Sequence, residues 1–126
     1  MQKLFLILSA AALLASACNK HEDEFEFSGT VVFYEYCSQE YGFDTYGYLV
    51  ELTSPSDIGG DYVVNGESLG YTNAVMAYGS NRLLKEGSKI SGKMYLDPHY
   101  SKTTCNIDLN RECKEAVFTK VKVNDE

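Results

Sequence analysis

Hydrophobic and polar positions alternate with a period of two over most of the chain after residue 28. That is the signature of strands with one face in a core. Thr30-Val31-Val32-Phe33-Tyr34-Glu35-Tyr36 is rich in β-branched and aromatic side chains. In Tyr48–Leu52 the residues Tyr48, Val50 and Leu52 share one face, and Asn73–Tyr78 is a third strand. Lys89–Asp97 alternates most regularly: Ile90, Gly92, Met94 and Leu96 point inward, and Lys89, Ser91, Lys93 and Asp97 outward. Ala116–Val123 is the last strand, with Lys120 and Lys122 facing water. Asp57-Ile58-Gly59-Gly60-Asp61 and Asn65-Gly66 are turn signals, and Tyr62-Val63-Val64 between them reads as an extra short strand in a hairpin. Ser80–Gly87 reads as one or two helical turns, with Ser80 as N-cap and Gly87 as the stop.

The first residues obey another rule. Met1-Gln2-Lys3 is a short positive start, and Leu4–Leu14 is apolar except for Ser9. Such a run suits the core of a signal peptide and falls short of the roughly 20 residues that span a bilayer. Ala15-Ser16-Ala17 then leads to Cys18. Small residues before a cysteine resemble the lipobox of bacterial lipoproteins. The leucine usual three places before the cysteine is displaced, since Ala15 stands there and Leu14 is one step early. The resemblance implies cleavage after Ala17 and a lipid on Cys18; an ordinary signal peptide cut at the same bond is the alternative. Asn19-Lys20-His21-Glu22-Asp23-Glu24 follows. A lysine and acids close behind the cysteine resemble the surface-export signal of Bacteroidetes-type lipoproteins. The implied address is the outer membrane, lipid-anchored, on the cell surface or on its periplasmic face. Self-repulsion of the acids also makes the segment an extended spacer. The division is therefore signal peptide 1–17, lipidated acidic tether 18–28 and a β domain over 29–124. One domain suits a chain of 126 residues.

Strand, strand, strand, short helix, strand, strand resembles the OB-fold, a five-stranded Greek-key barrel. LLKEGSKISGKMYL resembles the approach to its fourth strand, where Gly92 would allow tight curvature. An open meander or a small sandwich fits the same pattern. In an OB-fold the loop after strand one and the loop before strand five share one side of the barrel. That would bring Cys37 near Cys105 and Cys113, and a bridge from Cys37 to either closes a loop of about 70 residues, worth roughly 4 kcal/mol in the chain-entropy model. The local alternative is Cys105–Cys113. Three cysteines beyond Cys18 leave one thiol over.

Charge is divided along the chain. From His21 to Asn81 there are eleven acidic residues and no Lys or Arg; from Arg82 to Lys122 there are nine basic and five acidic ones. Cross-strand pairing of early acids with late bases accounts for this without a ligand. Nucleic acid is excluded as a partner, because strands two and three would need a basic groove and are acidic. Catalysis is not expected: the histidines are His21 and His99 alone, and no nucleophile-elbow, zincin or phosphate-loop motif occurs. Glu35 and Glu51 could face each other across a hairpin, but acidic strands usually face solvent. No cofactor or metal is expected either, since Met94, His99 and Cys105 are loosely spaced.

The sharp feature is aromatic. Phe33, Tyr34, Tyr36, Tyr41, Phe43, Tyr46 and Tyr48 fall within sixteen residues, among Glu35, Gln39, Glu40 and Asp44. Tyr34, Tyr36, Tyr41, Phe43, Asp44 and Tyr46 form a candidate wall for a glycan or peptide; the alternative is that Phe33, Tyr48 and even Tyr36 belong to the core and the other aromatics lid the barrel end. OB-folds bind oligosaccharides through this loop. The expected function is a non-catalytic binding or accessory domain on the membrane. The alternative is a structural subunit of an envelope protein complex. Replacing Cys18 with Ala is expected to move the protein from the membrane fraction to the soluble one; continued membrane association would refute the lipid anchor.

Overall fold

A computed structural model describes residues 23–40, 43–98 and 111–124. The strands are β1 (Phe25–Glu40), β2 (Phe43–Ser54), β3 (Val63–Val64), β4 (Glu67–Ser68), β5 (Ala74–Tyr78), β6 (Lys89–Leu96), β7 (Arg111–Glu112) and β8 (Lys114–Val123). Five of them close a barrel in the order β1-β2-β5-β8-β6, and β4-β3-β7 form a small separate sheet. All barrel pairs are antiparallel except β5 with β8. The fold is all-β, and the five strands read from the alternation are the five barrel staves. β1 begins at Phe25, inside the segment assigned to the tether, because Phe25 and Phe27 continue the inward alternation against Met94 and Gly92 of β6.

Two cores share one wall. Phe27, Val31, Tyr48, Val50, Leu52, Val75, Ala77, Ile90, Met94 and Phe118 fill the barrel. Leu49, Tyr62, Ala74, Met76 and Tyr78 form a second cluster outside it, where the small sheet covers β2 and β5. Every residue of β5 is therefore buried. The β3–β4 hairpin turns at Asn65-Gly66 with positive φ at both residues (53° and 81°), as a two-residue hairpin of this composition requires.

No helix occurs among the described residues, and the helical turn expected over Ser80–Gly87 is a loop. The Ser80 hydroxyl closes a local turn by donating to the Arg82 carbonyl (2.6 Å). The Leu84 amide, which a helix would have bonded to its own fourth-preceding carbonyl, donates to the Tyr48 hydroxyl instead (3.2 Å). Leu84 is thereby drawn into the barrel mouth and buried. Gly87 does end the segment, at φ 85°, and its amide bonds the Val31 carbonyl.

The charge division finds partners across strands. Glu26 stands opposite Lys93 in the β1–β6 register, Lys93 Nζ lies 4.0 Å from Glu24, and Arg111 forms an ion pair with Glu35.

Barrel closure depends on Gly92. A Cβ there would lie 1.9 Å from the Lys120 carbonyl oxygen, and its φ is 153°. Replacing Gly92 with Ala is expected to destabilise by about 3 kcal/mol or more, among the largest single-site effects. Gly66→Ala, which meets nothing within 4 Å and carries only the positive-φ strain, is expected to cost about 1 kcal/mol. Chemical denaturation of both variants checks this; equal small losses would contradict the role given to Gly92.

Candidate functional site

β1 pairs with β6 only from Phe25 to Thr30, and β2 pairs with β5 only from Tyr48 to Glu51. Beyond those limits β1 and β2 pair on together to Glu40 and Phe43 as a two-stranded arm. One irregularity decides which residues the arm presents. Val31 pairs Val50 and Phe33 pairs Leu49, so Val32 is an extra residue in β1, a bulge. Past the bulge Tyr34 pairs Tyr48 and Tyr36 pairs Tyr46 on the side that continues the barrel interior. Phe33 and Glu35 go to the opposite side.

The tyrosines form a ladder. Phe27 packs on Phe118 and Phe118 on Tyr48 inside the barrel, with centroids 5.7 and 6.3 Å apart. Tyr48 leads to Tyr34 at 6.2 Å, Tyr34 to Tyr46 at 5.9 Å and Tyr46 to Tyr36 at 5.8 Å. The last two contacts are edge-to-face, at 79° and 77°, the arrangement that ring quadrupoles favour. Exposure rises outward, from 1% at Tyr48 to 39% at Tyr34 and 54% at Tyr36. Tyr48 is the fixed end: its hydroxyl accepts from the Leu84 amide and faces the Arg82 carbonyl at 3.3 Å. Burial pushes its pKa up, the Leu84 hydrogen bond opposes this, and the neighbouring Tyr46 and Tyr34 add to the rise.

The back of the arm is clamped. Phe33 packs edge-on against Tyr62 at 5.7 Å. Glu35 meets the Arg111 guanidinium in a mostly buried ion pair, with side-chain exposures of 20% and 11%. Burial alone would lower the Arg111 pKa, but the hydrogen bond and charge of Glu35 outweigh it and the pKa is raised; Tyr78 and Tyr62 act in the same direction. Gly47, opposite Glu35, leaves room for the Tyr78 ring, which would lie 2.8 Å from a Cβ at that position.

Of the wall residues read from the sequence, Tyr34, Tyr36 and Tyr46 are brought together. Phe43 and Asp44 lie on β2 by their backbone, and their side chains fall outside the described residues, as does Tyr41. Tyr48 belongs to the core as expected, and Phe33 packs on the second cluster. Glu35 and Glu51 do not face each other: their cross-strand partners are Gly47 and Thr30. Met94 is fully buried in the barrel. Cys18, His99 and Cys105 lie outside the described residues. Cys113 is a free thiol, which corrects both pairings that used it. It joins β7 to β8 and packs against the second cluster, where its surroundings are the Met76 backbone and Arg111. Arg111 and Tyr62 had no signal of their own in the sequence. The two-sided burial of β5 had one, since Ala74–Tyr78 is apolar without alternation.

The ladder offers aromatic faces and hydroxyls, which suit stacking and hydrogen bonding. Among the described residues no three His, Cys, Asp or Glu side chains gather as metal ligands. A cavity of about 620 Å³ lies elsewhere, between Gly60-Asp61 and Leu96, lined also by Glu112 to Glu115. Comparison of the chain with protein-family models, with curated proteins and with solved structures finds no match in any of the three.

Burial pushes the Cys113 thiol up to about 11, with Arg111 and the Met76 backbone opposing the shift. The thiolate is then scarce at neutral pH. Alkylation of the folded protein by iodoacetamide is expected to be slow at pH 8, to gain about tenfold per pH unit, and to level off only near pH 11. A plateau near pH 9 would contradict this.

Proposed function

We propose that the protein is a lipid-anchored, non-catalytic binding domain at the cell surface that takes a glycan on the tyrosine ladder of its arm. The observation that carries this reading is the outward rise in exposure from Tyr48 to Tyr34 and Tyr36 on rings fixed by edge-to-face contacts. Rings already ordered lose little freedom when a ligand stacks on them. The lipid anchor rests on the junction at Ala15–Cys18 and the acidic segment behind it. Five strands closed into a barrel, with a long hairpin between the first two, support an OB-like reading, in which the first hairpin contributes to the binding face. The disulfide proposed is Cys37–Cys105, since Cys113 is a free thiol.

A second reading draws on the arm's edges. Among the described residues Phe33–Glu40 and Phe43–Gly47 hydrogen-bond as strands only with each other. A protein of an envelope complex adding a strand there would make the chain a structural subunit.

A glycan array separates the two. Binding is expected, with Tyr34→Ala and Tyr36→Ala each weakening it about tenfold, while the thermal stability of Tyr36→Ala stays near that of the parent because this outermost ring is the more exposed. No binding to any glycan, together with recovery of a stoichiometric protein partner from solubilised envelope, would replace the first reading by the second.

A further inference from the structure

The outer wall of β1, β6 and β8 carries a charge pattern that folding does not require. In the cross-strand register Glu26, Lys93 and Lys120 form one row, Ser28, Ser91 and Lys122 the next, and Thr30 and Lys89 the third. Lys89, Lys93, Lys120 and Lys122 are all exposed. Lys93 and Lys120 stand directly opposite each other, where like charges destabilise a sheet. Lys93 has Glu24 and Glu26 beside it, whereas Lys89, Lys120 and Lys122 form no ion pair among the described residues. Lysines often guard the open edge of a sheet against aggregation. That explanation does not apply, because these strands are interior staves of a closed barrel. The face is also out of keeping with the chain, whose net charge is −7.

We propose that this lysine face lies against the anionic headgroups of the membrane that holds the anchor. The inference rests on the lipoprotein reading for the identity of the surface. Cys18 is six residues from Glu24, a reach of about 20 Å at full extension. Glu24 is itself the ion-pair partner of Lys93. The tether thus joins the domain beside the lysines and holds that wall within reach of the leaflet. Screening confines the attraction to about 8 Å at physiological salt, so only a face held this close contributes. The acidic remainder of the domain is repelled by the same surface, which fixes the orientation. A lipid chain with a basic patch is a known two-part route to firm attachment.

The test footprints the lipidated full chain on vesicles of phosphatidylcholine and on vesicles of phosphatidylglycerol, by lysine acetylation and mass spectrometry. Lys89, Lys93, Lys120 and Lys122 are expected to react several-fold more slowly on phosphatidylglycerol, and Lys114, whose Nζ donates to the Ile58 carbonyl at 3.1 Å, equally on both. Equal reaction at all sites overturns the proposal. So does protection by inorganic phosphate or soluble polyanion on phosphatidylcholine vesicles, which would make the occupant a dissolved anion. A second arm uses the Cys18→Ala chain, which has no acyl anchor. Its binding to phosphatidylglycerol is expected to fall about 25-fold with Lys120→Gln and Lys122→Gln together, at roughly fivefold for each lysine near the leaflet; an unchanged affinity overturns the proposal. Failure of the intact chain to float with phosphatidylcholine vesicles would instead refute the anchor, and the second arm still decides the lysine face.

Discussion

The single extra residue at Val32 governs most of what this domain presents. Side chains of a strand alternate, so with Val31 inside the barrel an unbroken β1 would send Phe33 and Glu35 to the interior side. The bulge reverses the phase. Tyr34 and Tyr36 continue the barrel interior, while Glu35 turns outward to Arg111. β2 keeps strict alternation, with Tyr46, Tyr48, Val50 and Leu52 on one side and Gly47 and Leu49 on the other. The ladder therefore exists because β1 is bulged at Val32 while β2 runs unbroken from Tyr46 to Leu52.

Holding the arm is a separate problem, because two isolated strands are marginally stable in water. The second core supplies the support. β5 buries Val75 and Ala77 in the barrel and Ala74, Met76 and Tyr78 in the outer cluster, so it belongs to both. The Glu35–Arg111 pair then fixes the back of the arm to β7. Pairs of this kind add little net stability over a hydrophobic replacement, yet losing one partner costs about 3–5 kcal/mol. Its main effect is to fix position: the arm has one place where both charges are neutralised.

The barrel was legible in the sequence because alternation is a local property that most staves carried, and β5, which lacks it, showed instead as a short apolar run. The Asn65-Gly66 hairpin was legible for the same reason. The loop over Ser80–Gly87 was not. Its capping residues are real signals, but they lose to a hydroxyl 36 residues away that takes the Leu84 amide. The aromatic run announced its residue types and hid their sides, since nothing in VVFYEY marks which valine is the extra one. Arg111 was invisible as a site residue because its meaning depends on Glu35, 76 positions earlier.

The two faces that distinguish this domain differ in the forces they use, and β1 spaces them apart. The lysine wall acts through charge and matters only within a Debye length of an anionic surface. The ladder is uncharged, and its tyrosines carry large contact area with few rotatable bonds, which keeps the entropic cost of binding low. Tyr36 lies eleven residues along β1 from Phe25, a span of up to about 36 Å. One strand therefore begins where the tether joins and ends at the exposed rings. The rings continue the barrel-interior side of β1 and the lysines stand on its outer wall, so binding at the ladder and the proposed attachment at the wall use different faces.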